Sequence, residues 1–77
     1  MIDYKGKIIE ILKKYNGLPF SNIEVELLKS LSESEKKDYK FDKFFVAVYE
    51  LENDGIIFRG NGRKFEKGKF YLSSNKA

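Results

Sequence analysis

The chain has 77 residues, of which 42% are hydrophobic, a formal net charge of +3, and neither cysteine nor histidine. This length allows one small domain, and the missing residue types exclude disulfide bonds, thiolate nucleophiles, the usual zinc ligands and the usual general base. No apolar run approaches the roughly 20 residues of a membrane-spanning helix and no signal peptide opens the chain, so we expect a cytoplasmic or nuclear protein that is not secreted.

The first predicted helix runs from about Asp3 to Tyr15. Its apolar residues recur at three- and four-residue steps and form one stripe, Tyr4, Ile8, Ile11, Leu12 and Tyr15. Asn16-Gly17 ends this helix, with the glycine as a left-handed cap.

The second predicted helix follows a short extended link, Leu18 to Phe20, and begins at Ser21. Glu24 lies three residues further on, so the two side chains are expected to form a capping box, and Phe20 is expected to pack on Val25 as a hydrophobic staple. The residues expected to face the core are Ile23, Leu27, Leu28 and Leu31.

Residues 32–40 form a polar run between two apolar segments. Ser32 and Glu35 have the spacing of a second capping box, which favours a turn of helix. A solvated loop with Tyr39 as its apolar anchor is the alternative, and the sequence leaves both open.

The third predicted helix covers Lys43 to Asn53. Asp42 is its expected N-cap, and Phe41 is expected to pack on Val46. The predicted buried stripe consists of Phe44, Ala47, Val48 and Leu51. Asp54-Gly55 ends the helix.

The last third of the chain carries the surplus charge. From Gly55 to Ala77 there are six cations and one anion, which gives +5, whereas residues 1–31 sum to +1 and residues 32–54 to −3. Two strands are predicted here, Ile56 to Arg59 and Lys69 to Leu72. A cationic hairpin behind a group of helices is typical of a module that contacts polyanions.

Residues 60–68 join these strands, and we expect a broad, mobile wing there. A tight type I′ turn at Asn61-Gly62 that pairs a shorter strand at 63–66 is the alternative. The domain is expected to span residues 1–73, and the end of the chain, from Ser73 onward and especially residues 74–77, is expected to be frayed.

This order of elements resembles the winged-helix family of helix-turn-helix proteins. The likeness rests on the junction Val48–Ile57, a leucine followed by two residues, Asp-Gly and two apolar residues, and on the returning strand Lys69–Leu72. It covers about residues 4–73. It implies an α+β fold, a three-helix bundle with a C-terminal β-hairpin wing. The connector from Ser32 to Phe41 is longer than a compact helix-turn-helix has, although some members insert a short extra helical turn there.

The resemblance also implies a DNA-binding surface in which helix 43–53 enters the major groove and segment 60–68 lies on the backbone or in the minor groove. With the charge pattern, it gives eight candidate nucleic-acid-binding residues, four on the helix (Lys43, Val46, Tyr49 and Asn53) and four in the hairpin (Arg59, Arg63, Lys64 and Lys67).

On the third helix, Asn53 can pair with adenine, Lys43 with guanine or phosphate, and Val46 can meet a thymine methyl group. The same face carries Asp42 and Glu50, so two alternatives stay open. One is a solvated face, and the other is a protein-binding patch formed by Val46 and Tyr49.

The wing gives the stronger signal, because four cations can neutralise roughly 3–4 phosphates. Phe65 lies among them, and we expect its ring to fold back onto the sheet. Stacking of Phe65 on an unpaired base, which would suit single-stranded nucleic acid, is the alternative.

No catalytic residue, metal site or cofactor is predicted, because the chain has neither His nor Cys and no second acidic pair joins Asp38 and Asp42 to support a two-metal site. The predicted function is duplex DNA binding by a small transcriptional or replication-associated regulator, with a homodimer as one option. A protein-interaction module within a larger assembly is the second hypothesis, and binding of RNA or single strands is the third.

Overall fold

The computed structural model of the chain describes residues 1–75. It contains, in chain order, α1 (Tyr4–Lys14), β1 (Leu18–Pro19), α2 (Phe20–Ser30), α3 (Glu33–Asp38), α4 (Phe41–Asn53), β2 (Ile57–Arg59), β3 (Lys69–Leu72) and a 3₁₀ turn (Ser73–Asn75). The predicted α+β class is confirmed, with four helices and one antiparallel sheet of three strands in the order β1-β3-β2. This layout is compatible with that of a winged helix.

The apolar stripes predicted for the helices face one core. The buried residues of that core are Ile2, Ile8, Ile11, Leu12, Ile23, Leu27, Leu31, Phe44, Ala47, Val48, Leu51, Ile57, Phe70 and Leu72. Burying one side chain of the leucine, isoleucine or phenylalanine type contributes about 1.5–3 kcal/mol. A cluster of this size is therefore the main source of stability for a domain without disulfides.

A third strand, β1, extends the predicted hairpin. Leu18 pairs with Phe70 and Pro19 with Lys69, so the short link after α1 forms one edge of the sheet. Proline lacks the N–H that a central strand would need, but it is tolerated at an edge. The sequence predicted only an extended link here, because its partner lies far along the chain.

The predicted start of α2 at Ser21 is wrong. The helix begins at Phe20 with Pro19 as its N-cap and no side-chain cap bond, so the capping box with Glu24 does not form. Pro19 is held extended by its pairing with β3. The staple on Val25 is also wrong, because Val25 is exposed while the Phe20 ring packs 5.1 Å from that of Phe44.

The polar run contains a real helix, α3, and its predicted capping box is confirmed. Ser32 Oγ accepts a hydrogen bond from the backbone N–H of Glu35 at 3.3 Å, and the Glu35 carboxylate accepts one from the Ser32 N–H at 2.9 Å. The bond from Ser32 also lowers the pKa of Glu35.

The third predicted helix is α4, and it begins two residues before the predicted start. Lys40, not Asp42, is the N-cap, and its N–H donates to the Tyr4 hydroxyl at 2.9 Å, which fixes the chain against α1. Asp42 lies in the first turn, where a carboxylate is favourable next to the helix dipole. The Phe41 ring packs near Phe20 and other rings, and Val46 stays exposed, so the predicted staple does not form.

The junction from α4 into β2 is close to the prediction: the helix ends at Asn53 before Asp54-Gly55, and the strand begins at Ile57, one residue after its predicted start. Gly55 has φ +76°, a left-handed conformation that suits glycine. Ser73, expected to begin the frayed end, instead opens the 3₁₀ turn, and its N–H donates to the Ile56 carbonyl at 2.9 Å. The last two predicted tail residues, 76 and 77, lie outside the described residues. Within residues 1–75 no helix has both the length and the apolar character that crossing a bilayer requires.

Candidate nucleic-acid interface

The wing, residues 60–68, is broad and contains no strand, in agreement with the first prediction. Its base is closed by a hydrogen bond from the Gly60 N–H to the Lys69 carbonyl at 2.8 Å. Further out, the Glu66 N–H donates to the Tyr71 hydroxyl at 2.9 Å. The two sides approach so closely that a Cβ on Gly60 would lie 2.0 Å from the Glu66 carbonyl oxygen. These contacts fix the wing to β3, although the segment was expected to be mobile.

The alternative type I′ turn does not form at the wing tip. That turn needs positive φ at both central residues, whereas Gly62 has φ +87° and Asn61 does not have a positive φ. The Asn61 side chain instead accepts a hydrogen bond from the Arg63 N–H at 3.0 Å, and the Gly62 N–H donates to the Phe65 carbonyl at 2.7 Å.

Phe65 folds back onto the sheet, which confirms the favoured prediction. Its ring centroid lies 4.9 Å from that of Phe58 and 4.9 Å from that of Tyr71, with edge-to-face geometry in both pairs. Such a ring is engaged on its own sheet. Base stacking by Phe65 is therefore not supported.

One groove brings together most of the predicted wing cations. It has a volume of about 510 Å³, and we call it the wing groove. Its lining residues are Asn16, Gly62, Arg63, Lys64, Phe65, Glu66, Lys67, Lys69, Tyr71 and Asn75. Among the described residues 1–75, Glu66 is the one acid that lines this groove.

The charge balance of the wing groove is positive. The Glu66 carboxylate lies 2.9 Å from Lys69 Nζ, and this bond raises the pKa of Lys69. Within residues 1–75, neither Arg63 nor Lys67 lies within ion-pair distance of a carboxylate. Arg63 and Lys67 are therefore available to bind an anion, and Lys64 lines the same groove.

Arg59 does not belong to this cluster. In the register of the hairpin Arg59 pairs with Phe70 and Phe58 pairs with Tyr71, so Arg59 lies on the opposite face of the sheet from the Tyr71 ring. Its Nε donates to Glu52 at 2.8 Å, and its guanidinium lies 5.4 Å from the centre of the Phe70 ring. The expected group of four wing cations is therefore divided into three and one.

The predicted reading face of α4 is exposed but weakly basic. Lys43, Val46, Tyr49 and Asn53 all reach the surface. Glu50, on the same helix, pairs with Lys5 of α1 at 3.0 Å. Lys43 and Val46 line a groove of about 370 Å³ against the start of α1, which shares no lining residue with the wing groove. Lys43 and Val46 thus line a different groove from the wing candidates Arg63, Lys64 and Lys67.

Two features of the surface were missed from the sequence. Lys69 was counted only as charge, although two-residue alternation along β3 places it on the same side as Tyr71. The second is a cluster of aromatic rings beside Arg59, formed by Phe20, Phe45 and Phe70. Phe45 is not part of the buried stripe predicted for the third helix, and the position of Phe20 depends on the unpredicted strand β1.

Comparison of the chain with protein-family models, with curated proteins and with solved structures found no match. Within residues 1–75 no group of three or more carboxylates is placed to hold a metal ion.

Proposed function

We propose that this chain is a winged-helix domain that binds duplex DNA, mainly through the phosphate backbone, with the wing groove as its principal contact. The observation that carries the proposal is the position of Arg63, Lys64 and Lys67 around one groove where, among residues 1–75, the one acid is already bonded to Lys69. Duplex DNA presents a phosphate charge at every step, and a cluster of cations that replaces condensed counterions gains affinity from their release.

The arrangement of elements supports the winged-helix part of the proposal. α2 and α4 correspond to the two helices of a helix-turn-helix, α3 is the extra turn between them, and the β2–β3 hairpin carries the wing. The strand β1 adds the third strand of a small sheet against which α1 and α4 pack.

The third predicted helix, α4, contributes less to DNA affinity in this proposal. It offers one cation, Lys43, beside Asp42 and Glu50, so it contributes few phosphate contacts. Any choice of sequence comes from Lys43, Val46, Tyr49 and Asn53, whose side chains are exposed. A regulator of transcription or replication, located with DNA in the cytoplasm or nucleus, is the role we propose for such a domain.

The test is a salt titration of binding to a labelled random duplex. Replacing Arg63, Lys64 and Lys67 together by glutamine should weaken binding strongly and reduce the slope of log K against log salt by roughly 2–3, because each neutralised phosphate contributes about 0.9 to that slope.

The control replaces Lys13, Lys37 and Lys40 by glutamine, which removes the same charge from exposed sites that do not line the wing groove. An unchanged slope in the wing variant, or an equal loss in the control, would reject the wing groove as the DNA contact.

A protein-interaction module is the second candidate function, and a specific observation favours it. Val46 and Tyr49 are 48% and 61% exposed on one face of α4, and exposed aromatic residues are enriched at protein interfaces. Replacing both by serine separates the two functions. Loss of a protein partner, together with negligible binding of the wild type to duplex at low salt, would favour this candidate over DNA binding.

A further inference from the structure

A cleft at the base of the wing, between α4 and the sheet, is not used by the proposed backbone contact. It has a volume of about 310 Å³ and is lined by Phe20, Phe45, Arg59, Gly68 and Phe70. We propose that this aromatic cleft binds one unpaired purine base, guanine in preference, beside a duplex held by the wing groove. The inference rests on the proposed function.

The walls of the cleft suit a flat, neutral ring. Phe45 is 52% exposed although it is a large apolar residue. The Phe20 ring meets the Phe45 ring edge-to-face at 6.1 Å and the Phe41 ring lies 6.3 Å from it, so two rings support Phe45 while about half of the residue stays exposed. Bases stack on such rings whatever their identity, whereas the paired bases of a duplex are already stacked on each other. The ligand is therefore an unpaired base.

Arg59 supplies the hydrogen-bonding edge of the cleft. Its Nε is held by Glu52 at 2.8 Å, and its guanidinium lies over the Phe70 ring. No residue in the described range 1–75 accepts a hydrogen bond from its two terminal amino groups. Those groups form a planar fork, and the O6 and N7 atoms of guanine are the acceptor pair that such a fork binds. Glu52 thus acts as a positioning residue, because its bond to Nε fixes the orientation of the two terminal amino groups of Arg59.

Gly68 lines the cleft, and there is open space beside it. A Cβ at Gly68 would meet no atom within 4 Å, so no neighbouring group fills that space. Its chain neighbours Lys67 and Lys69 line the wing groove on the other face of the hairpin. A strand that leaves a duplex at the wing therefore has to cross only the edge of this hairpin to reach the aromatic cleft.

The experiment measures anisotropy of labelled duplexes that are identical except for their ends: blunt, with a short guanine overhang, or with a short cytosine overhang. Wild-type protein should bind the guanine overhang roughly 5- to 150-fold more tightly than the blunt duplex, the range expected for one stacked base. Phe45→Ala should lose this preference and keep its affinity for the blunt duplex. Phe45→Tyr, which retains a ring, should keep the preference.

Two further variants complete the design. Arg59→Lys keeps the charge but removes the planar fork, so its preference for guanine over cytosine overhangs should be weaker than that of the wild type while its salt dependence stays unchanged. Val25→Ala removes an equally exposed apolar side chain of α2 and should change nothing.

The results also separate the two proposals. Equal wild-type affinity for blunt and overhanging duplexes, or a preference that survives in Phe45→Ala, overturns the base-binding inference while wing-dependent duplex binding still stands. An absence of salt-dependent binding to the blunt duplex overturns the proposed function, and the base-binding inference with it. Loss of a protein contact on Phe45→Ala with no overhang preference would assign the cleft to a protein side chain instead.

Discussion

Gly17 lies against the ring of Tyr71, so close that a Cβ on Gly17 would be 2.3 Å from Tyr71 Cε1. This contact joins the end of α1 to β3. The same tyrosine stacks on Phe58 at 5.6 Å and holds the wing through the Glu66 N–H at 2.9 Å. Tyr71 therefore connects the helical part of the domain to the wing, and a glycine is what allows its ring to lie there.

Substitution of Gly17 by alanine should be strongly destabilising. Gly17 has φ +94°, and a left-handed conformation costs an alanine about 1–2 kcal/mol. The Cβ must also displace a buried ring, and overpacking adds about 1–3 kcal/mol. We expect Gly17→Ala to lower the free energy of unfolding by about 3 kcal/mol, measured by urea denaturation.

Gly55→Ala is the matched control, because Gly55 has φ +76° but no atom within 4 Å of its would-be Cβ. The free energy of unfolding of Gly55→Ala should fall only by the cost of the left-handed conformation, about 1–2 kcal/mol. Equal losses for the two variants would show that the Tyr71 ring does not constrain position 17.

The Phe65 ring should control the accessibility of the wing tip to proteases. Phe65→Ala removes two aromatic contacts, each worth about 0.5–1.5 kcal/mol, and releases the chain around Arg63 and Lys64. We expect trypsin to cleave native Phe65→Ala after these residues at least several-fold faster than wild type, because proteolysis of a native protein follows local opening. Phe65→Tyr, which keeps the ring, should resist cleavage like the wild type, and equal rates for all three proteins would contradict this account.

The helical part of the fold is predictable because its signal is local. A side chain that recurs every three to four residues, such as Phe44 followed by Val48 and Leu51, needs only the geometry of one helix to reach one face. The capping box at Ser32 is also local, and nothing from elsewhere in the chain competes with it. The two wrong helix starts are positions where a long-range contact decides, namely the pairing of Pro19 with β3 and the bond between Lys40 and Tyr4.

The candidate site was predictable in composition but not in arrangement. The sequence shows that cations are concentrated in the hairpin, and Arg63, Lys64 and Lys67 do line one groove. The separation of Arg59 depends on strand register, and a connection as long as residues 60–68 does not fix register through turn geometry. The aromatic cleft depends on Phe20 and Phe70, which are brought together through β1.

The ion pair of Arg59 with Glu52 should matter more for nucleic-acid affinity than for stability. Arg59 is 69% exposed and Glu52 is 28% exposed, and exposed pairs contribute about 0–1 kcal/mol. Glu52→Gln should therefore lower the free energy of unfolding by less than about 1 kcal/mol. It removes a negative charge beside the hairpin, so duplex affinity should rise at low salt and return to the wild-type value at high salt.

Glu10→Gln makes the same change in net charge on an exposed face of α1. A larger gain for Glu52→Gln than for Glu10→Gln, measured in the same salt series, is the expected result. Equal gains in duplex affinity for the two variants would mean that binding depends only on the net charge of the protein and not on the environment of Arg59.

The hydroxyl of Tyr39 should make stability fall at alkaline pH. It donates to the Glu24 carboxylate at 2.5 Å and thereby ties the end of α3 to α2. Burial, followed by the bond to Glu24 and its charge, raises the pKa of Tyr39 above its ordinary value. Because the folded pKa is raised, the contribution of Tyr39 is complete below the unfolded pKa of about 10 and is lost as pH rises above it.

Tyr39→Phe should be less stable than wild type by about 1 kcal/mol at pH 8, and urea denaturation at pH 10.5 should show a smaller difference. Tyr49→Phe removes an exposed hydroxyl and should match the wild type at pH 8. If the free energies of unfolding of Tyr39→Phe and wild type differ by the same amount at both pH values, deprotonation of the Tyr39 hydroxyl does not affect stability.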